Sequence, residues 1–187
     1  MVNEYVSILK FLVGNQESKY SIRQLSKIRK VNYKTAYQAI MKLHKEGVVS
    51  LEKLGNTINC SFNKKFDHLV YQAEDERRKD LLNNKDFKVI LEHLKLLKNP
   101  SIVLLFGSYI KETQTKKSDI DLLVITNNED EFEHEMSILP MIHYTIITYE
   151  EFNQMLKSKE ASVVSEALKK NIILNGIEDY YRVISNA

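Results

Sequence analysis

Helix breakers, cysteine and tryptophan are scarce in this chain, whose 187 residues include 5 Gly, 2 Pro, 1 Cys and no Trp. The single cysteine, Cys60, cannot form an internal disulfide, and no histidine lies near it at zinc-ligand spacing. A disulfide scaffold is thereby excluded, and a structural zinc site is not expected. Few breakers and a hydrophobic content of 43% predict a helix-rich globular protein with a substantial core.

Long apolar runs are missing as well. No stretch of about 18 apolar residues occurs that could span a membrane. The apolar N-terminal segment contains Glu4 and Lys10 and lacks a small-residue cleavage site. We therefore expect a soluble, cytoplasmic protein without a membrane partner.

Acidic residues are absent from one part of the chain. The formal net charge is only +2, but residues 18–45 contain eight Lys or Arg and no Asp or Glu, whereas residues 129–135 form the acidic block EDEFEHE. A basic stretch of this kind is the electrostatic footprint of nucleic-acid binding. The two ends of the chain are therefore expected to meet different partners.

The first sixty residues show a pattern of three helices followed by a β-hairpin. Apolar spacing predicts amphipathic helices, the second and third capped by Ser21 and Asn32, and Leu54-Gly55-Asn56 is a hairpin signal. This order resembles a winged helix-turn-helix domain, whose third helix enters the major groove of DNA. The predicted inward-facing residues are Ile22, Leu25 and Ile28 in the second helix and Ala36, Ile40 and Leu43 in the third.

The outer face of the third helix would carry the DNA contacts that this resemblance implies. Duplex DNA is therefore an expected partner, bound by hydrogen-bonding and cationic side chains. A winged-helix unit also serves as a protein-interaction or dimerisation module in other proteins, and this alternative stays open. The candidate DNA-binding residues are Lys34, Thr35, Tyr37, Gln38 and Lys42, with Tyr33 exposed beside them.

Residues 64–98 have the pattern of two connecting helices. The charged segment EDERRKD, residues 74–80, separates apolar positions in the first, which predicts a linker helix with a solvent-exposed middle. In the second helix an apolar stripe precedes Asn99-Pro100, which ends it.

A motif suited to phosphate and metal binding follows. The apolar run SIVLLF has the character of a buried strand and stops at Gly107-Ser108, where the backbone can approach a phosphate and Ser108 offers its N–H and hydroxyl. In the next strand, DIDLLVI, the period of two places Asp119 and Asp121 on the same face. Because adjacent carboxylates repel each other unless a cation lies between them, the pair predicts Mg²⁺ and nucleotidyl transfer.

Gly-Ser followed about ten residues later by SDIDLLV resembles the signature of the DNA polymerase β-like nucleotidyltransferase superfamily, most closely its minimal prokaryotic members. The resemblance covers residues 100–148. It implies that Gly107 and Ser108 hold the phosphates of a nucleoside triphosphate (NTP) and that Asp119 and Asp121 bind Mg²⁺ (or Mn²⁺). It also implies a short mixed sheet with helices packed on one face.

The chain departs from that family at the third carboxylate, which lies on a following strand. Residues 136–149 contain no Asp or Glu, and His143 occupies the corresponding position. His143 is either a further metal ligand or general base, or a partly exposed strand residue with no such role. The loop after Gly-Ser also differs, since its cations are Lys111, Lys116 and Lys117.

These patterns predict an α+β protein in three parts: a winged helix-turn-helix domain at 1–63, connecting helices at 64–98 and a nucleotidyltransferase-like domain at 99–187. The predicted function combines DNA binding with transfer of a nucleoside monophosphate (NMP) from an NTP to a hydroxyl acceptor that the sequence does not identify. The competing hypothesis is a transcription regulator whose nucleotidyltransferase-like domain is inactive and senses a nucleotide or forms a homodimer.

Overall fold

The computed structural model describes residues 4–110, 119–137, 139, 142–158 and 162–185. The chain divides into two compact units, Met1–Glu76 and Arg77–Ala187. Both combine helices with a β-sheet, so the predicted α+β class is confirmed. No helix in the described ranges is long and apolar enough to cross a membrane.

The first unit consists of helices packed with a small antiparallel sheet. The predicted order of three helices and a hairpin is observed, and a short strand that the sequence did not predict pairs with the hairpin, giving the strand order β1-β3-β2. The winged helix-turn-helix assignment itself stays a prediction. The elements are α1 (Glu4–Val13), β1 (Tyr20–Ser21), α2 (Ile22–Ile28), α3 (Tyr33–Lys45), β2 (Val49–Leu54) and β3 (Thr57–Phe62).

Side-chain caps determine where α2 and α3 begin, as predicted. The Ser21 hydroxyl accepts from the backbone N–H of Gln24, whose side chain accepts from the Ser21 N–H in return, which forms a capping box. The Asn32 side chain accepts from the Thr35 N–H at 2.8 Å. Gly47, with a φ of 73°, follows the end of α3.

The core of the first unit agrees with the apolar pattern except at one position. Ala36, Ile40 and Leu43 are completely buried, but Ile28 is 43% exposed, so its predicted inward position was wrong. The helix ends at Ile28, and Ser26 is buried instead, with its hydroxyl satisfied by donating to the Arg23 carbonyl. Cys60 is buried as a small core residue, and burial raises the pKa of its thiol to about 12.

Helix α4 (His68–Asp80) does not have the exposed middle that its charges predicted. Glu74 and Arg77 are both buried in this helix. Burying a charge is costly unless it is hydrogen-bonded, and the Arg77 guanidinium donates to the carbonyl of Asn171 within the second unit. The presence of charged residues in a segment therefore did not predict which of its side chains are solvated.

The second unit contains a four-stranded sheet in the order β6-β5-β4-β7. Strand β4 pairs antiparallel with β5 and β7, whereas β5 and β6 are parallel, so the expected mixed sheet is confirmed. Short 3-10 turns follow α4 and β4, at Leu81–Asn83 and Gly107–Tyr109. The other elements are α5 (Lys85–Leu94), β4 (Ser101–Phe106), β5 (Ile120–Thr126), α6 (Glu129–Met136), β6 (Ile142–Ile147), α7 (Tyr149–Lys157), α8 (Val163–Lys169), β7 (Ile172–Asn175) and α9 (Ile177–Ile184).

Helices cover both faces of this sheet, not one face as the family resemblance implied. One face packs with α5 and α6, whose side chains Phe87 and Phe132 join a cluster with Val103 and Leu122. Helices α7, α8 and α9 contact the central strands as well, and their buried side chains are not part of that cluster. The reason is that β4 is buried at every position and apolar from Ile102 to Phe106, so each of its faces requires cover.

Candidate nucleotide and metal site

Three strands bring the sequence-predicted residues of the second unit to one edge of the sheet. The C-terminal end of β4 lies beside the N-terminal end of β5 in the sheet, because their antiparallel register sets Phe106 opposite Asp121. The parallel register of β5 and β6 sets Asp121 beside His143. Because directly paired residues point to the same face, the Asp121 and His143 side chains lie on one side of the sheet, next to the turn at Gly107.

Gly107 makes room for the carboxylate of Asp121. Its φ of 77° lies in the left-handed region, and a Cβ at this position would come within 2.3 Å of Asp121 Oδ2. A side chain here would therefore displace either the turn or the carboxylate. The need for glycine was predicted as close approach of a phosphate, whereas the close neighbour in the structure is Asp121.

Asp119 and His143 form the solvent-facing part of this edge. The His143 Nδ1 atom lies 3.8 Å from Asp119 Oδ2, and the two side chains are 71% and 50% exposed. Asp121 is only partly exposed. Asp119 directly precedes β5, and its distance to His143, which is paired with Asp121, puts both carboxylates beside the imidazole. The site thus combines one sheltered and one exposed carboxylate with an imidazole beside them.

The donor set suits a cation that completes its coordination with substrate and water. No group of three or more His, Cys, Asp or Glu side chains within the described ranges could hold a metal ion. Mg²⁺ is commonly bound by one or two carboxylates together with water and phosphate oxygens, so the aspartate pair fits it. The predicted loop cations Lys111, Lys116 and Lys117 fall outside the described residues.

Comparison with known proteins identifies the family that this unit resembles. Residues 88–179 match the family model described as "Polymerase beta, Nucleotidyltransferase". This segment is a nucleotidyltransferase-like domain. It starts within α5 and ends within α9, and it therefore includes the whole edge formed by Gly107, Asp121 and His143.

One solved structure is also similar to the chain. It is described as "Crystal structure of the toxin-antitoxin with AMP-PNP", and the alignment has 18% identity, covers 55% of this chain and 82% of that chain, and gives a TM-score of 0.36. Similarity at this level supports no conclusion about fold or function. No curated protein matches the chain.

The candidate DNA-binding residues of α3 differ in how far they reach into solvent. Lys34, Tyr37 and Gln38 are exposed, whereas Thr35 is only partly exposed. The Lys42 ammonium lies over the Tyr5 ring, 4.6 Å from its centroid, which directs this cation toward α1. The helix thus presents three exposed side chains in its first half, and the Lys42 cation lies apart from them.

A cleft in the first unit contains residues that the sequence reasoning did not select. It has a volume of about 440 Å³ and lies between α2, the start of α3 and the turn that joins β2 to β3. Arg23, Lys27, Asn56 and Thr57 line it. The two cations belong to the acid-free stretch noted in the sequence, but only the tertiary fold brings the hairpin turn next to them.

Proposed function

We propose that the nucleotidyltransferase-like domain transfers NMP from an NTP to a hydroxyl acceptor. The observation that supports this most directly is the packing of Gly107 against Asp121, which leaves the carboxylate at a turn whose backbone can meet phosphate oxygens. Domains of this family generally use a divalent metal and an NTP. The acceptor is a hydroxyl of a protein, a nucleic acid or a small molecule.

Different residues of the site would bind the triphosphate and the metal ion. Gly107 and Ser108 hold the triphosphate through backbone N–H groups and the serine hydroxyl. Asp119 and Asp121 hold Mg²⁺, or Mn²⁺, which when bound neutralises phosphate charge and aligns the attacking and leaving oxygens. The sheltered carboxylate of Asp121 has less freedom to reorient than the exposed carboxylate of Asp119, so Asp121 would fix the position of the bound cation.

Transfer is tested with NTPs labelled at the α-phosphate, incubated with the protein, Mg²⁺ or Mn²⁺ and candidate acceptors. We expect label on an acceptor or on the protein itself, and its loss in Asp119→Asn/Asp121→Asn. Asp130→Asn, an exposed acid on α6, is the matched control and should keep the wild-type level. Label that persists in the double variant would exclude these residues from the reaction.

The second candidate function is nucleotide sensing without transfer. It is favoured by His143, which lies beside Asp121 at the position where the family has its third acid. A site of this kind would bind an NTP through the same residues but would not activate the attacking hydroxyl. Tight NTP binding without label on any acceptor, or on the protein, would support this candidate over transfer.

For the first unit we propose a winged helix-turn-helix domain that binds duplex DNA. The exposed side chains of Lys34, Tyr37 and Gln38 on α3 support this proposal. Binding to a labelled duplex should weaken steeply with salt because phosphate contacts release counterions. Lys34→Gln/Gln38→Ala should reduce this binding, and absent or salt-insensitive binding would favour the protein-interaction or dimerisation alternative.

A further inference from the structure

The cleft of the first unit has hydrogen-bond donors on three of its sides. Arg23 and Lys27 come from α2, Tyr33 from the start of α3, and Asn56 and Thr57 from the hairpin turn. All five side chains are exposed, and Ile22 and Ile58 add apolar surface to the lining. Elements distant in sequence thus direct donors into one space of about 440 Å³.

These donors are not engaged within the protein. In the part of the chain that the structure describes, no hydrogen bond or ion pair involves the side chains of Arg23, Lys27, Asn56 or Thr57, and Tyr33 has only a ring contact with Tyr37. The serines of the cleft differ, since Ser21 caps α2 and Ser26 donates to a backbone carbonyl.

The charge of the cleft is positive without local compensation. Residues 21–27, 33 and 56–58 contain no Asp or Glu. The nearby acid Glu52 on β2 already pairs with Lys19 at 2.7 Å. Two cations and three neutral donors, with no acceptor-rich group facing them, match an anion with several oxygens. A phosphate group has this chemistry, and arginine recognises it with two parallel hydrogen bonds.

We propose that this cleft is a phosphate-binding site formed by Arg23, Lys27, Tyr33, Asn56 and Thr57. The proposal specifies where the DNA binding proposed for the first unit takes place. If the phosphate belongs to a nucleic acid, the proposal rests on that DNA binding. It moves the main phosphate contact from the outer face of α3 to the space between α2 and the hairpin turn. A phosphate reaches such a cleft either on a nucleic-acid backbone or on a free nucleotide or pyrophosphate.

The decisive variant is Arg23→Gln/Lys27→Gln, which removes two charges but keeps side chains that donate hydrogen bonds. Lys45→Gln/Lys65→Gln is the matched control, because it makes the same change in net charge at exposed positions outside the cleft. Circular dichroism verifies that both variants fold. One arm measures duplex binding by fluorescence anisotropy as a function of salt, and the other titrates pyrophosphate and AMP calorimetrically.

The calorimetric arm uses the Asp119→Asn/Asp121→Asn background, so that phosphate held by the second unit does not contribute. In the duplex arm we expect the cleft variant to lose about tenfold or more in affinity, and its salt slope to fall by about 1 for each lost phosphate contact. The control should lose much less. In the calorimetric arm, binding that the cleft variant loses and the control keeps identifies a free phosphate ligand.

The outcomes separate this inference from the proposed function. Duplex binding that is equal in the cleft variant and the control, with no pyrophosphate or AMP bound at the cleft, overturns the phosphate site but leaves DNA binding by α3 intact. No duplex binding by the wild type, with pyrophosphate binding that depends on Arg23 and Lys27, upholds the site and removes the DNA-binding function. Absence of binding in both arms overturns both.

Discussion

At the scale of single residues, the position of the Asp121 carboxylate requires a glycine at residue 107. The glycine lies in the left-handed region, and the space that its missing Cβ would take is occupied by the Asp121 carboxylate. Gly55, in the hairpin turn of the first unit, has a similar φ of 58° but nothing within 4 Å of an added Cβ. Comparing alanine substitutions at the two glycines therefore distinguishes the effect of backbone strain from that of a steric clash with Asp121.

Gly107→Ala should abolish metal-dependent NTP binding, whereas Gly55→Ala should leave it unchanged. Both substitutions carry the strain of a left-handed alanine, about 1–2 kcal/mol, but only the first also displaces the Asp121 carboxylate. Calorimetric titration of Mg²⁺ and a non-hydrolysable NTP analogue measures the binding. Equal affinities of the two variants would show that the position of Asp121 does not matter.

His143→Asp should supply a third carboxylate at the position that the family resemblance predicts for it. The parallel register places residue 143 beside Asp121, so the new carboxylate would raise the negative charge around the bound cation. We expect Mg²⁺ affinity to increase on the order of tenfold, because ligand charge sets the affinity of hard-cation sites. His143→Asn, which adds no charge, is the control, and equal Mg²⁺ affinity of both variants would contradict the expectation.

At the scale of elements, Glu131 attaches α6 to the segment that enters β4. Its carboxylate accepts from the backbone N–H groups of Lys98 and Asn99, at 2.9 and 3.2 Å, and from the Asn99 side chain. The Lys98 hydrogen bond, and after it the Asn99 side chain, lower the pKa of Glu131. This attachment lies at the end of the sheet opposite to Gly107.

The Glu131 attachment should make the stability of the second unit depend on pH. Its folded-state pKa is lowered, so its stabilisation is fully present above the ordinary glutamate pKa and is lost as pH falls through the folded value. Glu131→Gln should therefore be less stable than the wild type at neutral pH, with a difference that shrinks below about pH 4. Urea unfolding from pH 3 to 7 measures this.

The control is Glu133→Gln, an exposed position on the same helix. It should show no comparable pH-dependent difference from the wild type. A difference between Glu131→Gln and the wild type that stays constant across the range would mean that the ionised carboxylate is not the stabilising form.

Helix α5 should be part of the folding unit of the nucleotidyltransferase-like domain. Phe87 is 1% exposed, packs into the core cluster of the second unit and contacts the Tyr109 ring edge-to-face at 5.3 Å. Phe87→Ala should cost about 3–5 kcal/mol and weaken hydrogen-exchange protection in β4 and β5. Val89→Ala, at a position 42% exposed, should leave protection unchanged. Protection lost only within α5 would contradict this expectation.

At the scale of the whole molecule, the two proposed activities belong to different compact units. The candidate transfer site lies within Arg77–Ala187, and the α3 surface and the cleft lie within Met1–Glu76. The two sites share no residue, and variants at sites without shared partners usually have additive effects. We therefore expect Asp119→Asn/Asp121→Asn to retain duplex affinity and Arg23→Gln/Lys27→Gln to retain NTP binding. Either variant altering the other activity would demonstrate coupling between the units.

Local patterns predicted the elements well where a short-range cause decides them. The Ser21 and Asn32 caps and the inward positions of α3 were correct because capping and helical periodicity depend on neighbours within four residues. The exposed middle of α4 was wrong because Arg77 is buried against a carbonyl 94 residues further along the chain. A charge pattern contains no information about such a distant acceptor.

The sequence by itself determined that SIVLLF and DLLVI form strands, here β4 and β5, and predicted that Asp119 and Asp121 share a face, since the pleat of a strand has a period of two. Only the tertiary structure decided which groups meet there. The registers of β4, β5 and β6 bring Gly107 and His143 to Asp121, and long-range strand pairing of this kind is not encoded in any local pattern. The same holds for the cleft, where chain folding joins Arg23 and Lys27 to Asn56 and Thr57.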